Sequence, residues 1–175
     1  MKLALTVLAS AAAITLSTQA SAAGQVNFTG QIINAACEIT VDGKQNGQID
    51  LGKWPTSTFQ AVGDKSSPKP FVLKVSDCIE GSYNLHFEGD ADLTNPKLLK
   101  ASEATGVGIA IANMNSMTNL VNINTGATGN PNAEVIVAAG QKDGTLNLQS
   151  FYQSTTATVT AGKADATARI TLEQK

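Results

Sequence analysis

Histidine is almost absent from this 175-residue chain, and tryptophan, tyrosine and cysteine are scarce: one His, one Trp, two Tyr and two Cys. A lone histidine and two cysteines without a CxxC or HxxxH spacing give a structural or catalytic zinc site nothing to build on, so no metal is expected. Charged residues are only 15% of the chain, the net charge is −2, and no basic block occurs. That balance argues against nucleic acid and anionic membrane as partners. No grouping of serine, histidine and carboxylate is suggested by the spacing. Gly106-Val107-Gly108 lacks the length and the following helix of a phosphate loop. Neither a cofactor nor an enzymatic activity is expected. No proline-rich linker and no internal repeat divides the chain.

What is present begins with a targeting pattern. Lys2 supplies a positive start, Leu3 to Leu16 is an apolar run, and Ala20-Ser21-Ala22 offers the small residues that signal peptidase needs. The run is short for a bilayer span and passes directly into Ser17, Thr18 and Gln19. Residues 1–22 are therefore expected to be a cleaved secretory signal, with cleavage after Ala22 or Ala23. In an oxidising compartment the two cysteines, Cys37 and Cys78, most simply form one disulfide.

The rest reads as many short strands. Val26, Phe28, Gly30 and Ile32 alternate with polar residues, and Cys37, Ile39 and Val41 follow, ending at Asp42-Gly43. Further strands are expected at Gln48–Leu51, at Phe71–Cys78, at Tyr83–Phe87, at Val107–Ile111, and at Glu134–Val137 and Thr145–Tyr152. The last two flank Gln141-Lys142-Asp143-Gly144 as a hairpin. Lys97–Ala104 could form one or two helical turns. Pro55, Pro68, Pro70, Pro96 and Pro131 fit loops. At the end, Gly162 is followed by Ala164, Ala166, Ala168, Ile170 and Leu172 on one face and Asp165, Thr167, Arg169, Thr171 and Glu173 on the other. This is a half-buried strand whose far edge has little left to cover it, and such an edge is a template for another chain. Strands punctuated by Gly, Asn and Asp imply a two-sheet sandwich, and the open edge points to assembly rather than catalysis. His86 is out of phase with Tyr83, Leu85 and Phe87, so a solvated position is expected. Trp54 before Pro55 is expected to pack locally rather than form a sugar platform. Asn27-Phe28-Thr29 fits a glycosylation sequon by coincidence.

Taken in order, these segments resemble the pilin subunits of chaperone–usher (type 1-like) fimbriae of Gram-negative bacteria. Val26-Asn27-Phe28-Thr29-Gly30 with Ile32-Ile33-Asn34-Ala35-Ala36-Cys37 is similar to the family's opening, and Ile49-Asp50-Leu51-Gly52 to the strand after its first cysteine. Phe71 to Cys78 resembles the strand with the second cysteine. Phe151-Tyr152, Thr158-Val159-Thr160-Ala161-Gly162 and Ala164-Asp165-Ala166-Thr167-Ala168 resemble its closing motifs. Two departures stand out: Gln174 occupies the penultimate position where the family carries tyrosine, and the segment ahead of Cys37 is short.

The resemblance implies an all-β, immunoglobulin-like sandwich lacking its last strand and completed by a strand from another chain. Residues 23–36 would be the N-terminal donor extension and 37–175 the pilin domain. Val26, Phe28, Gly30 and Ile32 would enter the groove of a neighbour. Gly162, Ala164, Ala166, Ala168, Ile170 and Leu172 would line the groove and bind first a periplasmic pilus chaperone, then a neighbouring subunit. The implied function is a structural subunit of a surface fimbria that supports bacterial adhesion, exported through the periplasm and an outer-membrane usher and polymerised head to tail with copies of itself. The alternative is a tip adhesin or minor adaptor that binds host glycans; tip adhesins usually carry a lectin domain ahead of the pilin domain, for which this chain has no room.

Overall fold

The computed structural model describes residues 37–126 and 130–175. Eight strands form two antiparallel sheets: β1 (Glu38–Val41), β2 (Lys69–Ser76), β3 (Gly81–Gly89), β4 (Leu99–Lys100), β5 (Val107–Asn113), β6 (Glu134–Val137), β7 (Gly144–Ser154) and β8 (Ala168–Gln174). One sheet has the order β1-β2-β7-β5-β4 and the other β6-β3-β8. One 3-10 turn, Thr56–Thr58, is the single helical element among the described residues.

Period-two patterning builds both sheets. Phe71, Leu73 and Val75 of β2 are buried, as are Tyr83, Leu85 and Phe87 of β3. These two faces close the main core with Val135, Val137 and Leu148. The Asp42-Gly43 pair turns the chain at positive φ in both residues, and Val41 and Lys44 exchange both backbone hydrogen bonds. That is a two-residue hairpin turn of the kind the dipeptide favours. Cys37 and Cys78 form a disulfide across 41 residues, tying the start of β1 to the end of β2.

Five expectations are corrected. Glu134–Val137 and Thr145–Tyr152 are both strands, but they are not a hairpin: β6 pairs with β3, and β7 pairs with β2 and β5. Val135 and Val137 point inward from one sheet and Leu146 and Leu148 from the other, so the strands face each other across the core. Gln48–Leu51 is not a strand; Asp50 instead accepts from the Gly52 N–H, and the Trp54 indole donates to the Leu51 carbonyl. Lys97–Ala104 contains no helix. Leu98 and Leu99 are both buried because strand alternation sends them to opposite faces, one to the inner core and one to a cluster with Ala110, Phe151, Met117 and Leu120. Pro70 lies within β2, at a level where β1 has already ended and no neighbour needs its missing N–H. His86 is mostly covered, with 12% of its side chain exposed, held between the Thr125 carbonyl and the Glu173 carboxylate. Trp54 packs locally against Phe59, Ala101 and Val107, as expected.

Candidate subunit-binding groove

Among the described residues, the sandwich is open along one side. A groove of about 1500 Å³ runs between the edge of one sheet and the edge of the other. One wall is β1 with the segment 45–54; the opposite wall is the stretch 159–170. The floor is apolar, with Phe71, Phe87, Leu99, Ile109 and Ile111 contributed by both sheets.

The C-terminal wall has two parts. Only Ala168–Gln174 is strand, paired to β3 with Ile170 opposite Phe87 and Leu172 opposite Leu85. The strand does not begin at Gly162, because residues 160–165 are held by the loop 102–105 instead. Ser102 N–H donates to the Asp165 carbonyl, and the Glu103 and Ala104 N–H groups to the Lys163 carbonyl. The Ser102 hydroxyl also donates to the Lys163 carbonyl and accepts from the Asp165 N–H. Gly162 sits where a side chain would press on Glu103 and the Ala104 nitrogen at 2.9–3.1 Å, so only glycine fits this approach.

Among the described residues this bonding leaves a specific edge open. Lys175 N–H donates to the Ser82 carbonyl, so odd residues of β8 turn their backbone groups toward β3. Lys163 and Asp165 turn theirs toward residues 102–104, which keeps the same sense. The even residues, from Ala164 to Leu172, therefore point N–H and C=O away from the body of the sheet. Their side chains also face inward: Ala168, Ile170 and Leu172 pack on the main core and Ala164 on the Phe59 cluster. Gly162, Ala164, Ala166, Ala168 and Ile170 line the groove, whereas Leu172 lies beyond its end. Val26, Phe28, Gly30 and Ile32 lie outside the described residues.

Tyr152 joins floor and wall. Its hydroxyl donates to the Ala164 carbonyl at 3.2 Å. Burial, then the carboxylates of Asp165 and Asp50, raise its pKa above the ordinary 10.0, so it stays a neutral donor. Sequence reasoning placed Tyr152 in a strand but gave it no part in the groove. It likewise missed the wall at 45–54, because Gln48–Leu51 reads as strand. Phe59 and Val159, which close one end, carry no sequence signal of a site.

The sequence profile of the fimbrial protein family matches residues 26–174. A type-1 fimbrial protein subunit of Serratia marcescens is 39% identical over 94% of this chain and 96% of its own length. The long polar fimbria protein A of Salmonella typhimurium is 37% identical over 91% and 90%. A probable major fimbrial subunit of Escherichia coli O157:H7 is 40% identical over 82% and 79%. Among solved structures, the P pilus rod subunit PapA superposes with a TM-score of 0.62 at 18% identity, covering 79% of this chain and 99% of that one. A chaperone–usher pilus subunit superposes at 0.60 with 21% identity, over 91% and 99%. The open, two-sheet fold is thus shared with pilus subunits, and the sequence matches establish that this chain belongs to the fimbrial protein family.

Proposed function

We propose that this fimbrial subunit, a structural component of a surface pilus, joins its neighbours by accepting a donor strand in the open groove. Donor-strand complementation of pilins is itself an established instance of β-augmentation. The observation that carries the reading is the coincidence of two things along residues 166–172. From Ala166 to Leu172, a backbone edge with no partner strand among the described residues, which supplies a ladder, lies beside an apolar groove, which takes alternate side chains. A strand added there would satisfy the edge and cover Phe71, Phe87, Ile109 and Ile111. Each large apolar donor side chain buried contributes about 1.5–3 kcal/mol.

The donor is the segment 23–36 of the next copy, with Val26, Phe28, Gly30 and Ile32 facing into the groove. Residues 1–22 form the signal that sends the chain to the periplasm. There a pilus chaperone occupies the groove first, and an outer-membrane usher exchanges it for the next subunit. One heterologous contact repeated without closure produces a filament.

Phe28→Asp tests this. A carboxylate forced into an apolar groove loses its hydration without a partner. The variant is expected to accumulate in the periplasm with its disulfide intact yet give no fibres by electron microscopy. A wild-type peptide spanning 23–36 is expected to raise its melting temperature through binding linkage. Normal fibres from Phe28→Asp cells would overturn the assignment.

A further inference from the structure

The C-terminal wall changes partners partway along. β3 ends at Gly89, opposite Ala168, so among the described residues 160–167 have no strand of that sheet to lie against. Their backbone groups are taken instead by residues 102–105, the connection from β4 to β5 of the five-stranded sheet. The join therefore ties one sheet to the other across the end of the groove. It is not an ordinary ladder, in which each N–H finds a backbone carbonyl. The carbonyls of Lys163 and Asp165 do accept from the backbone of Ser102, Glu103 and Ala104, but their N–H groups find side chains. Lys163 N–H donates to the Glu103 carboxylate and Asp165 N–H to the Ser102 hydroxyl, each at 3.2 Å. The same hydroxyl donates to the Lys163 carbonyl at 3.1 Å. A hydroxyl has one proton and two lone pairs, so it gives and accepts at once. Ser102 thus bridges Lys163 to Asp165 and keeps Ala164 extended between them. Further up, Thr160 N–H donates to the Thr105 carbonyl at 3.1 Å, and Thr105 N–H to the Thr160 hydroxyl at 3.0 Å.

Of the groove wall 159–170, only Ala168–Ile170 belongs to β8. The rest depends on this join, and Ser102, Glu103, Lys163 and Asp165 are all exposed. Exposed hydrogen bonds with few apolar contacts around them open locally before a core ladder does. We infer that Ser102 is a positioning residue for subunit capture, with Glu103 in a lesser part. It holds 163–165 extended and in line with β8, so the receptive edge continues past the start of that strand to Ala166 and the groove keeps its wall. This rests on the donor-strand reading above and names the residues by which the accepting copy keeps its groove ready.

The test uses subunit purified from the periplasm, with amide exchange and a peptide spanning 23–36 as its two readouts. Ser102→Ala removes both bonds of the hydroxyl. Exchange at Lys163 and Asp165 is expected to quicken about tenfold, the loss of roughly two hydrogen bonds, while β8 exchanges as in wild type. Peptide binding should weaken about tenfold on the same account, at an unchanged melting temperature. Ser102→Thr keeps the hydroxyl and should restore both readouts. Glu103→Ala frees only the Lys163 N–H and should do less; if Ser102→Ala does not accumulate, it carries the same comparison at Lys163. Unchanged exchange at 163–165 in Ser102→Ala overturns the inference and leaves the donor strand standing. So does quickened exchange with peptide binding as tight as wild type, or a Ser102→Thr variant as deficient as Ser102→Ala. Wild-type subunit that takes up no peptide refutes the donor-strand reading and, with it, any part for Ser102 in capture.

Discussion

Glu134 shows how single contacts hold the end of the chain in place. It accepts from the Ser82 hydroxyl and pairs with the Lys175 ammonium at 3.0 Å. Those two hydrogen bonds hold its carboxyl below the ordinary value of 4.5, with desolvation opposing and the charge of Lys175 adding a smaller part. A carboxylate with a depressed folded pKa contributes stability above its unfolded pKa, and that contribution is lost as pH falls through the folded value. Glu134→Gln should therefore lower the melting temperature slightly at neutral pH. The gap to wild type should close as pH falls below 4.5. A gap that stays constant down to about pH 3 would mean the pair contributes nothing through its charge.

At the scale of the element, β8 serves two tasks along one face. Leu172 packs on the main core opposite Leu85, while Ile170 both touches that core and lines the groove. Leu172→Ala should cost the isolated subunit about 2 kcal/mol, at the low end for a core leucine because the site is only partly buried. Ile170→Ala should cost the subunit less and the fibre more. Denaturant melts of subunit and of fibre, compared for both variants, separate the two tasks; identical ratios would show that the face is not divided. The period-two alternation made this face legible in the sequence, as it did for β2 and β3. It could not reveal where β8 starts, because the hydrogen bonds of 160–165 go to a loop sixty residues earlier. Alternation also cannot say which sheet a strand joins, so β6 and β7 read as a hairpin although the core lies between them. His86 was misread because its parity was right but the segment around Thr125 covers that face.

At the scale of the whole molecule, the groove has one weak wall. β1 is four residues long and its sole strand partner among the described residues is β2, through the pairs Glu38–Ser76 to Val41–Leu73. Its other side faces the groove, where Ile39 and Val41 stand opposite the C-terminal wall. The cysteine pair was legible from the targeting pattern and the count alone, but its task was not: it anchors β1 at the point where the strand begins. Closing a loop of 41 residues stabilises the subunit by roughly 4 kcal/mol in the chain-entropy account. Without it, β1 can peel from β2 while β2, β7 and β5 remain paired, and the groove loses a wall before the core melts. Cys37→Ser should therefore weaken capture of a 23–36 peptide more than the loss of global stability accounts for. The comparison is made with Leu73→Ala, which destabilises the core without freeing the start of β1. At matched melting temperature, Cys37→Ser should bind the peptide more weakly, and amide exchange should be faster in β1 than in β7. Equal binding and equal protection in the two variants would show that the bridge acts on stability alone.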